Sequence, residues 1–373
     1  MRTMIRIKLL MLVGCAVMSG GGLSGGLAAI ATPGDEPLVT NAKLETRGVA
    51  ENLSAAVQRL TEEGGRPVWI GYSVEEAAGK RSICRGNYRD DDNGCGTCNL
   101  ENEHNNWSGS RGKKETVNLQ SHGMLVVLLR VDKKQLMRIR MASTDCTLDA
   151  GGLRFVWLTG VKPEQSVSLL RKYVKAEDFR SRGDQGLSGQ ALAAIAMHGD
   201  ASADRAFASF TAPEQPAELR EKASFWLGAA RGNSGLALLE QMAKSDPSGD
   251  VRAQVAFALY LSPEPKAVDD IILMAKDDRD AHVRGQALFW LAQKAGAKAS
   301  SAITGAIEND PDTEVKKKAV FALSQMPRDE GVPKLIEVAQ TNRNPEVRKQ
   351  AMFWLGQSND PRALQFFEKV LTQ

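Results

Sequence analysis

Val283-Arg284-Gly285-Gln286-Ala287-Leu288-Phe289-Trp290-Leu291 returns 64 positions later as Val347-Arg348-Lys349-Gln350-Ala351-Met352-Phe353-Trp354-Leu355. Midway between them, Val315-Lys316-Lys317-Lys318-Ala319-Val320-Phe321-Ala322-Leu323 keeps the same apolar frame. The underlying period is 32. Leu187, Leu219, Val251, Val283, Val315 and Val347 open successive units, Ala191, Ala223, Val255, Ala287, Ala319 and Ala351 follow four residues on, and Ile195, Leu227, Leu259, Leu291, Leu323 and Leu355 follow eight residues on. Offsets of 0, 4 and 8 lie on one face of a helix, so each unit opens with an amphipathic first helix. Leu239, Ile271, Ile303, Leu335 and Phe367 mark a second helix, with Met242, Met274, Ala306, Val338 and Val370 three positions further. About six hairpins stacking into an all-α solenoid follow from this period.

Within these units, Asp246, Asp278 and Asp310 precede Arg252, Arg284 and Lys316 by six residues. Asn342 stands in the acidic column before Arg348, Glu214 replaces the Asp before Arg220, and Ser188 replaces the base of the first repeat. Residues 183–373 resemble HEAT repeats, in the short form of the phycobilisome-lyase-like HEAT family, which marks its turn with Asp and places an Arg early in the first helix. The resemblance implies a right-handed stack with a ladder along it: Asp accepts from the N–H groups at the start of the first helix, and the next Arg reaches a neighbour's carbonyls or carboxylate. It implies a scaffold as readily as a chromophore lyase, since fold does not fix activity. Phe225-Trp226, Phe289-Trp290 and Phe353-Trp354 alternate with Phe257-Ala258 and Phe321-Ala322. Alternating core packing is the expectation for this row, with a ligand-holding tryptophan row as its rival.

The chain has 373 residues, 42% hydrophobic and 25% charged, ample for a sizeable core. Residues 1–31 contain Arg2, Arg6 and Lys8 and no acid, then the apolar run Leu9 to Met18 and Ala29-Ile30-Ala31, which read as a secretory signal peptide. A periplasmic or secreted protein is expected. Leu12-Val13-Gly14-Cys15 offers a competing lipid anchor at Cys15. Without residues 1–31 the chain holds 45 basic and 45 acidic residues. It lacks the basic footprint of a nucleic-acid binder, and no run of 18 apolar residues suggests a membrane span.

Residues 32–64 are expected to form an N-terminal helix, read from Leu44, Val49, Leu53, Val57 and Leu60. Residues 65–162 read as a small β-rich domain, with strands over 68–74, 124–131, 135–141 and 153–158. The solenoid then takes 163–373, and the whole is an α+β chain. Cys84, Cys95, Cys98 and Cys146 fall in the sheet domain, and two disulfides of unknown pairing are expected to staple it. Two other readings stay open. Cys95-Gly96-Thr97-Cys98 has the spacing of a thiol redox centre, though Asp90-Asp91-Asp92 would raise its thiol pKa. Cys84, Cys95 and Cys98 with His104 or Cys146 could form a zinc set. The acidic run lacks the ligand spacing of a calcium loop. His198 and His282 lie near repeat turns without a metal pattern, and Glu101 to His104 reads as a polar loop cluster. No cofactor is expected. The leading functional expectation is a non-enzymatic scaffold holding a protein or peptide on the solenoid surface. The alternative is a thiol-redox or metal-dependent enzyme centred on Cys95 and Cys98, and a chromophore or lipid carrier using the Phe and Trp row comes third.

Overall fold

A computed structural model describes residues 37–50, 52–63, 65–77, 82–84, 87–89, 97–101, 123–144, 146–181, 186–294 and 296–372. The signal peptide, Cys15, Cys95, Asp90 to Asp92 and His104 lie outside these residues.

The first part is built on a seven-stranded mixed sheet in the order β2 (Lys43–Gly48), β10 (Arg154–Thr159), β3 (Val68–Glu75), β7 (Met124–Asp132), β8 (Gln135–Ser143), β4 (Ser82–Cys84), β5 (Asn87–Arg89). β10 runs parallel to both neighbours, and the remaining pairs are antiparallel. A small parallel sheet orders β1 (Val39–Thr40), β9 (Thr147–Asp149) and β6 (Thr97–Asn99). Strand alternation sorts the central side chains into two cores. Ile70, Tyr72, Leu125, Val127, Leu129, Val156 and Leu158 face a large core shared with the helices, while Trp69, Val126, Leu128, Phe155 and Trp157 face a smaller one over the small sheet.

Two expectations need correction. Residues 43–48 form an edge strand, and the helix α1 is confined to Leu53–Glu63, where Asn52 Oδ1 accepts the Ala55 N–H at 2.8 Å. Thr46, Gly48 and Val49 are weak helix formers, and pairing with β10 a hundred residues away outweighs the apparent helical spacing. The disulfide-stapled sheet domain is also corrected: no disulfide joins one described cysteine to another. Cys98 and Cys146 are buried in the smaller core and do not stand as free thiols, and the Cys84 side chain lies outside the described residues. The described part of this domain is held by its strand ladders and two apolar cores.

After α2 (Pro163–Arg171) and α3 (Ala176–Ser181), six hairpins follow among the described residues: α4 (Leu187–Ala196) with α5 (Ala201–Phe210), α6 (Ala217–Ala230) with α7 (Gly232–Ser245), α8 (Gly249–Leu261) with α9 (Ala267–Asp277), α10 (Ala281–Lys294) with α11 (Ala297–Asn309), α12 (Thr313–Gln325) with α13 (Arg328–Thr341), and α14 (Pro345–Gln357) with α15 (Pro361–Leu371). The apolar columns at offsets 0, 4 and 8 are buried from Leu219 onward. In α15 the inward face is turned by one residue, so Phe366 is buried where Phe367 was expected, and Val370 is exposed.

The sheet and the first hairpin share one apolar core, and hydrogen bonds close the join. Ala77 donates to the Met197 carbonyl at 2.7 Å and Gly199 to the Glu75 carbonyl at 2.8 Å. A Cβ at Gly199 would stand 2.6 Å from the Glu76 carbonyl oxygen, so only glycine lets these backbones approach. Beneath them, His198 Nδ1 donates to the Ala194 carbonyl at 2.7 Å, which makes Nε2 the acceptor from Ser166 Oγ at 2.8 Å. Ser166 in turn accepts from the Tyr72 hydroxyl at 2.8 Å. His198 is fully buried, so its part is in packing.

Burial outweighs the bond to Ala194 and lowers the His198 pKa from 6.5 to about 4. In the unfolded chain this histidine gains its proton near 6.5, so the folded state loses stability as pH falls from there toward 4, by roughly 3 kcal/mol in all. Urea denaturation at pH 7 and pH 5 should show about 2 kcal/mol of that loss, and His198→Gln, which keeps polar contacts without titrating, should flatten it.

Candidate functional site

From the second hairpin onward each first helix carries a basic residue one position after its first apolar column, and α6, α8 and α10 bury that base against the following turn. Arg220 gives Nε and Nη2 to Asp246 at 2.8 and 3.0 Å, Arg252 gives them to Asp278 at 2.8 and 2.9 Å, and Arg284 to Asp310 at 2.7 and 3.0 Å. Arg252 and Arg284 also donate Nη1 to the carbonyls of Asp246 and Asp278, six residues earlier, at 2.8 and 2.9 Å. The rungs therefore join end to end. Burial opposes ionisation of Asp278, but the Arg252 guanidinium prevails and holds that carboxyl below its ordinary range.

The ladder departs from this pattern at both ends. Lys316 reaches the Glu308 carbonyl at 2.7 Å, and Arg348 reaches the carbonyls of Asn342 and Arg343 at 2.8 and 3.1 Å. In the first hairpin Ser188 donates to Asp178 at 2.6 Å and accepts from the Lys175 N–H at 3.0 Å. The ladder aspartates do not cap the first helices. They accept the N–H two residues on, from Ser248, Asp280 and Asp312. Ser248, Asp312 and Asn344 are the side chains that cap, and Asp280 accepts from the His282 N–H in the same way. The column of Ser, Asp and Asn at that position is the sequence signal for it.

The aromatic row lies on the same first helices but outside the closed core. Phe225, Phe257, Phe289 and Phe321 are half-buried and Phe353 is 54% exposed. Their rings meet in two pairs, with centroids 6.2 Å apart for Phe225 and Phe257 and 6.1 Å for Phe289 and Phe321, and Trp290 and Trp354 join these into a band with Phe353. Each later tryptophan reaches back to the preceding repeat: Trp290 meets Phe257 at 4.5 Å and Tyr260 at 5.0 Å, and Trp354 meets Phe321 at 4.9 Å. Ala258 and Ala322, both fully buried, leave the room these indoles occupy. The alternation thus packs neighbouring repeats, yet on a half-open face. Lys294 Nζ stands 5.3 Å over the Tyr260 ring, and burial lowers its pKa. One turn before each Phe come Lys222, Gln254, Gln286, Lys318 and Gln350, and one turn after come Ala229, Leu261, Gln293, Gln325 and Gln357.

Among the described residues, no group of three His, Cys, Asp or Glu side chains is placed to hold a metal ion, and no helix is long and apolar enough to cross a membrane. Cys98, the described half of the Cys95-Cys98 pair, is 1% exposed, without the access an attacking thiolate requires. Glu101 is tied up in the sheet domain by Trp69 Nε1 at 2.7 Å and Arg130 Nε at 2.8 Å. Its carboxyl lies below the ordinary range because the Arg130 bond and charge outweigh burial.

Residues 300–373 match the HEAT-repeat family. A chain of human deoxyhypusine hydroxylase in complex with glycerol is 16% identical, with 56% of this chain and 90% of that one covered and a TM-score of 0.26. The CpcE and CpcF complex of phycocyanin lyase from Nostoc sp. PCC7120 is 21% identical, covering 42% of this chain and 99% of that one, with a TM-score of 0.32. A chain in the complex of Kap95p with RanGDP is 16% identical over 57% of this chain and 32% of that one, with a TM-score of 0.34. No curated protein matches. The family match over residues 300–373, together with the stacked hairpins, supports a HEAT-like helical-repeat solenoid.

Removing one member of a rung leaves a buried charge without its counter-ion. Arg252→Met is expected to cost about 3–5 kcal/mol in denaturant titration, and Arg252→Met with Asp278→Leu to recover most of it.

Proposed function

We propose that this chain is a binding module that holds an extended polypeptide segment along the aromatic band of its first helices, without catalysing a reaction on it. The half-exposed band from Phe225 to Trp354 carries this reading. Aromatic rings offer apolar seats at low entropic cost, and the glutamine columns beside them supply both donors and acceptors for a peptide backbone. Neighbouring helices pack roughly 8–10 Å apart, which matches about three residues of an extended strand per repeat. The short phycobilisome-lyase-like form is our finer placement of these repeats, resting on the Asp and Arg columns, and it brings no lyase activity with it.

We read residues 1–31 as an export signal removed before Thr32, which places the module in the periplasm or outside the cell. Intact mass of the protein recovered after export checks this: cleavage after Ala31 is expected, and a lipid-modified mass beginning at Cys15 would replace that reading with a membrane-anchored one.

A photo-crosslinking residue placed at Gln254 or Gln286 tests the binding face. Expressed in cells that export the full chain, it should trap a discrete polypeptide, while the same residue at Glu337 on a second helix should trap none of it. Phe257→Ser with Trp290→Ser should reduce the crosslink at Gln254 at least tenfold with the helical circular dichroism unchanged.

A further inference from the structure

The aromatic band ends beside a cavity. Between the ends of α12 and α14 and the start of α13 lies a space of about 210 Å3, lined by the buried side chains of Leu323, Val332 and Leu335 and by the half-buried indole of Trp354, with Gln325 and Gln357 exposed at its mouth. The repeat period shows why the space is open. At the same place 64 residues earlier, the Tyr260 ring lies against Trp290 with centroids 5.0 Å apart and 30° between the planes, and Lys294 covers that ring and donates to the Ser262 carbonyl at 3.3 Å. Ser324 stands in the place of Tyr260 and Ser358 in that of Lys294, and both line the cavity. Their hydroxyls turn back on their own helices, donating to the Phe321 and Leu355 carbonyls at 2.7 Å, so neither fills the room. Trp354 keeps the two other ring contacts that Trp290 makes, with Phe321 at 4.9 Å and Phe353 at 5.0 Å in place of Phe257 and Phe289. The third ring is missing from the chain.

We infer that this cavity seats one aromatic side chain, a phenylalanine or tyrosine, of the polypeptide held along the band, with its ring against Trp354 as the Tyr260 ring lies against Trp290. This rests on the band reading above and adds to it which residue the partner supplies and where. Size fits a single ring, since an apolar cavity of roughly 150 Å3 already takes up benzene. The indole decides for an aryl group over an aliphatic one, because paired rings contribute beyond the area they bury. At the mouth, the amides of Gln325 and Gln357 stand where the backbone carrying that ring would pass, and they supply it with donors and acceptors.

The test is a titration of the purified protein with the N-acetyl amides of phenylalanine, tyrosine and leucine, followed by NMR at the Trp354 indole N–H, which has no hydrogen-bond partner among the described residues and is identified by its loss in Trp354→Phe. Saturable shifts with the phenylalanine and tyrosine compounds are expected, with leucine binding about tenfold more weakly. Ser324→Tyr, which restores the arrangement at Trp290, should abolish the shift with the helical circular dichroism unchanged, and the smaller Ser324→Leu does the same service if the tyrosine variant does not fold. In cells, Ser324→Tyr should also lower the crosslink at Gln254 severalfold. No saturable shift, equal binding of leucine, or full binding in the folded Ser324 variants overturns the ring seat, and a polypeptide still trapped at Gln254 then leaves the band reading in place. An intact ring shift with nothing trapped at Gln254 overturns the band reading instead, and with it the source of the ring.

Discussion

One guanidinium, that of Arg252, ties a first helix to the turn before it and the turn after it. It fills both oxygens of Asp278 and the carbonyl of Asp246, which leaves neither charge uncompensated in a place where an unpaired ion would not be tolerated. Because the same bond set recurs at Arg284, and its carboxylate half at Arg220, each repeat inherits its orientation from the last. The contact between Trp290 and Phe257 depends on that orientation, since an indole on one helix can cover a ring on the next only when the two hairpins are held at a fixed angle. The polar ladder thus sets the geometry of an apolar surface built from different residues.

The two layers of the solenoid differ in character. The first helices present rings flanked by amides and by the lysines Lys222, Lys294 and Lys318. The second helices present ionisable pairs such as Lys266 with Glu240 and Lys298 with Asp269, both in solvent and weak as stabilising contacts.

What the period of 32 encodes was readable from the chain: the hairpins, the buried columns and the Arg and Asp positions all recur often enough to be seen without coordinates. What depends on pairing between distant segments was not. Lys43 to Gly48 looks helical by spacing and becomes a strand because β10 lies beside it. His198 sits at a repeat turn and is buried because the end of β3 crosses over it. The Phe and Trp row was visible, but whether its rings faced a core or an open surface turns on three-dimensional packing.

The place of β10 in the sheet has a consequence for the order of folding. β10 separates β2 from β3, so the strand that joins those two is the last of the ten strands among the described residues to leave the ribosome or a translocation pore. Until Arg154 to Thr159 arrives, β2 has no neighbour in the large sheet among the described residues. The repeats that follow are made of near-sequence contacts and close quickly, while the sheet waits on a long loop closure. The slowest step in maturing this protein is then at its N-terminal end, and a half-made chain would expose the apolar strands β3 and β7 for the longest time.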